Sequence, residues 1–444
     1  MKRISKAEFA ERRTRLMEQM DTGSIAIVPG AVETIRNNDV HHPFRQNSNV
    51  MYLSGFAEPD AVLVLIPGRE QGQYILFVRD KDPEREIWDG YRAGPEGAVA
   101  EYDADDAFPI DDIDDILPGL MEGRSRVYSP MGVDDAFDHQ LMAWVNQIRS
   151  KVRTGARPPE DFSDISHLLH DLRLIKSRQE IAIMREAATI SARAHKRAML
   201  ACKPGKMEYQ LQAEIEHECM LAGSPWPAYP AIVGAGANGC ILHYIENNSK
   251  IQDGDLVLID AGCEMQYYAS DITRTFPANG HFSEPQRQLY DLVLASQYAA
   301  IDQVKPGNTW ISAHEAVVRV LVEGLVELGI LQGDVNQLIE QESYKPFFMH
   351  KTGHWLGMDV HDVGDYKVGG EWRVLEPGMV LTIEPGLYIS PHNQDVDERW
   401  RGIGIRIEDD VVVTRDGCDI LTRDVPKEAR DIEALMNGGQ SSLF

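Results

Sequence analysis

Between residues 23 and 80, short apolar runs alternate with turn residues: SIAIVPG, AVLVLIPG and YILFV. Runs of this length bounded by Gly, Pro and Asp predict strands, here within an α/β region. Ahead of them, KRISKAEFAERRTRLMEQM spaces apolar residues among both charge signs, which predicts an amphipathic helix and not the apolar core of a signal peptide. Residues 154–164 (TGARPPEDFSD) are polar and carry Pro158–Pro159, so a linker is expected there. That break divides the chain into two domains, an N-terminal α/β domain over 1–173 and a larger one over 174–444.

The second part opens on helices. Ser177 and Glu180 have the spacing of a capping box and precede EIAIMREAATISARAHKRAML, a long helical pattern closed by Pro204–Gly205. EYQLQAEIEHECMLAG predicts a second helix. Apolar runs of strand length come next, DLVLID, DITRTF, MVLTIEP and IGIRIEDDVVVT, with helical stretches near 284–303 and 310–329 between the early and late ones. No short-period repeat occurs. The final NGGQSSLF is expected to be disordered.

Composition narrows the function classes. Asp and Glu outnumber Lys and Arg 70 to 44, for a formal net charge of -26. Nucleic-acid binding needs a basic face, so this balance argues against it. No apolar run approaches membrane-span length. Five scattered cysteines without a C-x-x-C read as free thiols in a reducing cytoplasm. The acidic stretch from Asp103 to Asp115 lacks the frame of a calcium loop and reads as a solvated surface with capping aspartates.

The chemistry concentrates in five residues at or near the ends of apolar runs: Asp260, Asp271, His354, Glu384 and Glu408. Four carboxylates and one imidazole do not suit a single structural zinc. They suit two divalent cations roughly 3.5–4 Å apart that share carboxylates and activate water for hydrolysis. Asp260 ends DLVLID and Asp271 opens DITRTF eleven residues later, a hairpin-like distance that lets both meet across adjacent strands. Alone, each would read as a turn starter. His350, His354 and His361 crowd HKTGHWLGMDVHDVG, where Gly353 and Gly357 let the backbone pass close to a site. Glu384 ends an apolar strand, where an unpaired carboxylate is costly without a cation or a proton. Strand alternation places Gly404, Arg406 and Glu408 on one face, so Arg406 is expected beside Glu408.

VGAGANG (233–239) matches a dinucleotide-binding G-x-G-x-x-G at Gly234, Gly236 and Gly239. Proline breaks SPWPAYPA before it, and Asn247–Asn248 interrupt CILHYIENN after it, so a ligand-access loop is the better reading. Neither a G-x-S-x-G elbow nor a P-loop is present.

In this order, DLVLIDAGCE, DITRTFP, HWLGMDVHDVG, EPGMVLTIEPGLYI and RGIGIRIEDDVVVT resemble the pita-bread metallopeptidases, which include methionine aminopeptidase, prolidase, aminopeptidase P and creatinase. HPFRQNSNVMYLSGFAEPDAVLVL (42–65), REIWDGYR around Trp88 and GCILHY around His243 extend the resemblance to the aminopeptidase P branch over nearly the whole chain. It implies an α+β fold: two pseudo-symmetric halves around a curved antiparallel sheet, after a smaller N-terminal α/β domain that serves oligomerisation and substrate access.

The implied activity is removal of the first residue of peptides with proline second. Asp271 and Glu408 would bridge two metals, Asp260 would hold one, and His354 with Glu384 the other. Glu384 would shuttle a proton, and His361 and His243 would bind the carbonyl oxygen. Arg406 would orient Glu408 and, through Tyr388, help place the leaving group. His243 and His350 would line the proline pocket, and Trp88, Asp39 and Arg153 would be substrate contacts, Trp88 near a neighbouring subunit's site. The carboxylate-rich set favours hard ions, so manganese is expected, with cobalt as a substitute. A cytoplasmic homodimer or homotetramer is implied. Lys351, after His350, departs from the small or uncharged residue usual in the family. The rivals are a prolidase restricted to dipeptides, and a non-catalytic scaffold or metal-free creatinase-like protein, which would lack some of the five ligands.

Overall fold

The computed structural model describes residues 2–438. The chain forms two compact units, one over Ile4–Arg173 and the other from Leu174 onward.

The N-terminal unit is built on a six-stranded sheet. In spatial order its strands are Asp106–Pro109, Tyr74–Val78, Val62–Leu65, Ile25–Pro29, Arg126–Ser129 and Asp161–Asp164. Ile25–Pro29 pairs antiparallel with Val62–Leu65 and parallel with Arg126–Ser129, so the sheet is mixed. Ile25, Ile27, Val64, Phe77, Leu141 and Trp144 belong to one buried cluster on it. The expected N-terminal helix spans Lys6–Glu18. The linker expectation is corrected here. Asp161–Asp164 is a parallel edge strand in register with Arg126–Ser129. Its sequence, DFSD, hides this because an edge strand with an exposed face needs no apolar run.

The second unit repeats one plan twice. In the first half, helices Arg178–Ala201 and Glu208–Leu221 pack together beside an antiparallel sheet of Ile232–Ala235, Leu256–Asp260 and Thr273–Pro277. In the second, helices Glu284–Ile301 and Ile311–Glu327 accompany Val380–Ile383, Asp409–Val413 and Cys418–Ile420, with Gly386–Ile389 and Ile403–Arg406 as a further antiparallel pair. Ser177 starts the long helix as its sequence predicts. Its hydroxyl accepts from Glu180 N, and Glu180 Oε2 accepts from Ser177 N at 2.8 Å. Gly234–Gly239 turns from a strand into a short 3-10 segment between antiparallel strands, which is no dinucleotide fold.

All five cysteines are free. Among the described residues no helix is long and apolar enough to cross a membrane. The last helix, Ala429–Gly438, takes up Asn437 and Gly438, against the expectation of disorder; the rest of that tail lies outside the described residues.

Candidate metal centre

Asp260 is the last residue of its strand and sits opposite Thr273 in the neighbouring one, so the strand register brings Asp260 and Asp271 to the same end of the sheet. The connection is longer than a simple turn. It detours through a small hairpin, Cys263–Met265 with Tyr268–Ala269, before Asp271. Gly262 permits this crossing: a Cβ there would lie 1.7 Å from Ser270 O.

The equivalent ends of the second half deliver the other groups. Glu384 comes directly after Val380–Ile383, and its N–H donates to Thr352 O at 2.7 Å. Glu408 lies between Ile403–Arg406 and Asp409–Val413, where its N–H donates to Thr273 O at 3.0 Å. Gly353 lets the histidine loop cross the strand before Glu384, since a Cβ there would meet Thr382 O at 1.9 Å.

Ligand atoms of Asp271, His354 and Glu408 all lie within 4.8 Å of one another. His354 Nδ1–H donates to Trp355 O at 2.9 Å, which leaves Nε2 to face the carboxylates. Nε2 is 3.4 Å from Asp271 Oδ2 and 3.7 Å from Glu384 Oε1. Asp260 adjoins this group through Tyr229, whose hydroxyl donates to Asp260 Oδ1 at 2.7 Å and also touches Asp271 Oδ1. One hydroxyl proton therefore serves two carboxylates.

The electrostatics of the cluster fit divalent cations. Burial, opposed by His354 and Arg406 and reinforced by the neighbouring carboxylates, leaves Glu384 at about 7. Burial and the charges of Asp271, Glu384 and Asp260 push Glu408 well above the carboxylate range. Burial also raises Asp260, although Arg406 draws it back. Burial depresses His354, but its hydrogen bond to Asp271 and the nearby carboxylates overcome this and bring it to about 9. So many buried anions share so few cations that the metal-free site must hold protons, and a divalent cation is the natural replacement.

Arg406 shares the Thr273 hydroxyl with Glu408, but its direct carboxylate partner is Asp260. Ile407 N–H, just past the strand, donates to Pro385 O. The guanidinium pairs with Asp260 Oδ2 at 2.7 Å. It meets Glu408 only through Thr273, whose Oγ1 accepts from Arg406 Nε at 3.2 Å and donates to Glu408 Oε2 at 2.6 Å. Arg406 Nη1 also donates to the buried Tyr388 hydroxyl at 2.9 Å, and that hydroxyl lies 2.9 Å from His350 Nε2. Because His350 Nδ1 must donate to Lys351 O at 2.7 Å, Nε2 accepts from Tyr388. Burial and Arg406 hold His350 near 4, so this relay carries a neutral imidazole.

His361 is exposed, with its ring centroid 4.4 Å from that of His354; His243 is also exposed and acts electrostatically on both His350 and His361. The other three expected residues lie in the N-terminal unit, all exposed. Trp88 is on helix Pro83–Asp89, Asp39 in the turn between Ile35–Asn37 and Val40–His41, and Arg153 in a 3-10 turn, Val152–Thr154.

Sequence reasoning missed two groups. Tyr229 sits in the proline-broken SPWPAYPA, which has no periodic signal. Asp410 looks like one more acid in EDDVVV, yet its buried carboxylate accepts from Asp271 N at 3.1 Å.

The chain matches the family model for metallopeptidase family M24 over residues 182–415 and that for the aminopeptidase P N-terminal domain over residues 9–128. It is 48% identical to a Xaa-Pro aminopeptidase of Escherichia coli (strain K12), with 98% of this chain and 99% of that one aligned. The solved structure of Pseudomonas aeruginosa aminopeptidase PepP superposes with a TM-score of 0.98 at 62% identity, covering 98% of this chain and 99% of the other. A zinc-substituted E. coli aminopeptidase P in complex with product does so at 0.95 and 48%, covering 98% of each. Matched over nearly its whole length, in both units, the chain belongs to the aminopeptidase P branch of metallopeptidase family M24.

Proposed function

We propose that this enzyme hydrolyses the first peptide bond of substrates whose second residue is proline, releasing the free N-terminal residue. The observation that carries this is the convergence of Asp271, His354 and Glu408, with Asp260 and Glu384 adjoining, in a chain that aligns end to end with a Xaa-Pro aminopeptidase. Asp260, Asp271, His354, Glu384 and Glu408 would together hold the divalent cations. Bound there, these would supply Lewis-acid chemistry, polarising the scissile carbonyl and lowering the pKa of water at the site. Manganese is the ion we infer, with cobalt as a substitute, because carboxylates outnumber the single imidazole.

The protein's own groups do the rest. Glu384, a carboxylate at the cluster, would take the proton of the attacking water and return it to the leaving nitrogen. His361, whose ring centroid lies 4.4 Å from that of His354, would donate an N–H to the developing oxyanion, with His243 as its partner. Arg406 fixes Asp260 directly and Glu408 through Thr273, and the Arg406–Tyr388–His350 relay borders the place for the proline ring. Trp88, Asp39 and Arg153 would contact longer substrates, Trp88 from a neighbouring protomer of a dimer or tetramer. The free thiols suit a reducing cytoplasm.

The test is release of free Xaa from a Xaa-Pro-Pro peptide, a Xaa-Pro dipeptide and a Xaa-Ala control, before and after metal stripping and manganese addition. Manganese-dependent release from the tripeptide alone or from both proline substrates supports the assignment. Cleavage confined to the dipeptide would make the enzyme a prolidase, and cleavage of the alanine control at an equal rate would refute proline selectivity.

A further inference from the structure

Asp362 directly follows His361 and forms a buried ion pair with Lys176, Nζ to Oδ2 2.8 Å, with both side chains 1% exposed. Lys176 comes from a distant part of the chain, just ahead of helix Arg178–Ala201, and its backbone N–H is held by Gly378 O at 2.9 Å. The partner turn is tied at several points. Asp362 N–H donates to Trp355 O at 2.8 Å, beside His354, and Asp359 N–H reaches Asp362 Oδ1 at 3.4 Å. Gly357 is fitted around the pair, since a Cβ there would lie 2.2 Å from Asp362 Oδ2 and 2.9 Å from Lys176 Cε. The absence of a side chain at Gly357 makes room for this carboxylate.

An ion pair with no solvent contact loses most of its Coulomb gain to desolvation, and apolar residues often replace such pairs without loss of stability. Its placement, one residue from an imidazole whose ring centroid lies 4.4 Å from that of His354, gives it a geometric use. We infer that Lys176 and Asp362 are positioning residues for the peptidase reaction: the pair fixes the 355–362 turn and thereby the place from which His361 meets the scissile carbonyl. The inference rests on His361 being a substrate contact, as proposed above. A displacement of about 1 Å at such a group is enough to cost on the order of a hundredfold in rate.

A kinetic cycle tests it, using the manganese-loaded wild type, Lys176→Met, His361→Ala and the double variant on a Xaa-Pro-Pro peptide. Lys176→Met should lower kcat/KM at least about tenfold, mainly in kcat, when His361 is present, and less than about twofold when it is absent. The thermal midpoint should shift equally in both backgrounds. Equal kinetic losses in the two backgrounds would overturn the inference and leave the pair purely structural. Hydrogen exchange on the metal-free protein gives a second readout: amides of 355–362 should exchange faster in Lys176→Met, with helix Arg178–Ala201 unchanged. A uniform change, or none, counts against the clamp. A wild type inactive on the tripeptide would indict the proposed activity, and hydrogen exchange would still decide the clamp. Asp362→Asn, nearly isosteric, takes the place of Lys176→Met should that variant not fold.

Discussion

Adding a divalent cation to the metal-free enzyme at pH 7 should expel protons. His354, at about 9, is almost fully protonated there, and Glu384, at about 7, is half protonated; burial and three carboxylates also raise Glu408 well above the carboxylate range. A cation needs all three as free donors, so more than about one proton should leave per chain on full loading. The stability consequence has one sign for the two groups with defined values. Glu384 and His354 both have folded-state values above their unfolded ones, 4.5 and 6.5 respectively, so the folded metal-free state binds more protons. Its stability falls as pH rises through about 4.5–7 for Glu384 and about 6.5–9 for His354, by about 3 kcal/mol for each group. Metal removes that penalty, so the melting-point gap between loaded and stripped enzyme should widen from pH 6 to pH 8. Calorimetric manganese titrations in buffers of different ionisation enthalpy count the protons, and scanning calorimetry follows the gap. Release of under about half a proton, or a gap that narrows with pH, would refute the picture of a proton-filled site awaiting cations.

Glu384→Gln should leave the melting temperature of the metal-free enzyme unchanged or raise it, because a buried carboxyl that resists ionisation is gone, and lower kcat at least about a hundredfold. Full activity would remove Glu384 from proton transfer. Tyr229→Phe deletes the hydroxyl between Asp260 and Asp271; manganese affinity, read by titration, should fall about 10- to 100-fold. Asp409→Asn strands the buried Arg274 and the half-buried Lys427, each 2.7 Å from its carboxylate, and should cost about 3–5 kcal/mol by chemical denaturation. Burial opposes ionisation of Asp409, but those two cations win and depress it, so the contribution is present above about pH 3.9 and lost on acidification; the variant should show a flatter acid limb. Glu208 accepts four hydrogen bonds, from Ala235 N, Asn238, Tyr244 and Ser249 N, and so holds the loop carrying His243. Glu208→Ala should lower both the melting temperature and kcat/KM, the latter by more than about tenfold.

The features legible in the sequence are those with a local physical cause. Strands that are buried to their last residue and then end in a carboxylate stand out because nothing apolar explains the charge, so Asp260 and Glu384 are conspicuous. The helix Arg178–Ala201 carries its start signal in Ser177 and Glu180. Other features depend on pairings between distant segments and leave no local trace. Arg406 reaches Asp260 across a separation of 146 residues, which no local spacing carries. Tyr229 gains its position from a proline-rich strand edge without periodicity. Asp161–Asp164 joins a sheet although its composition is that of a loop. The Lys176–Asp362 pair spans 186 residues, beyond any pattern of spacing.

The glycines at the crossings of the centre set a boundary for engineering. Gly262 and Gly353 abut Ser270 O and Thr382 O, and a Cβ at Gly404 would lie 2.1 Å from Gly239 O. Replacing glycine by alanine is a usual route to thermostability because it stiffens the unfolded chain, but it works only where the folded backbone has space. Here a single methyl would wedge apart the strands whose ends carry Asp260, Asp271, Glu384 and Glu408. A more heat-resistant form of this enzyme has to be sought elsewhere on the molecule, in its exposed turns, while the closely stacked backbones of its centre stay bare.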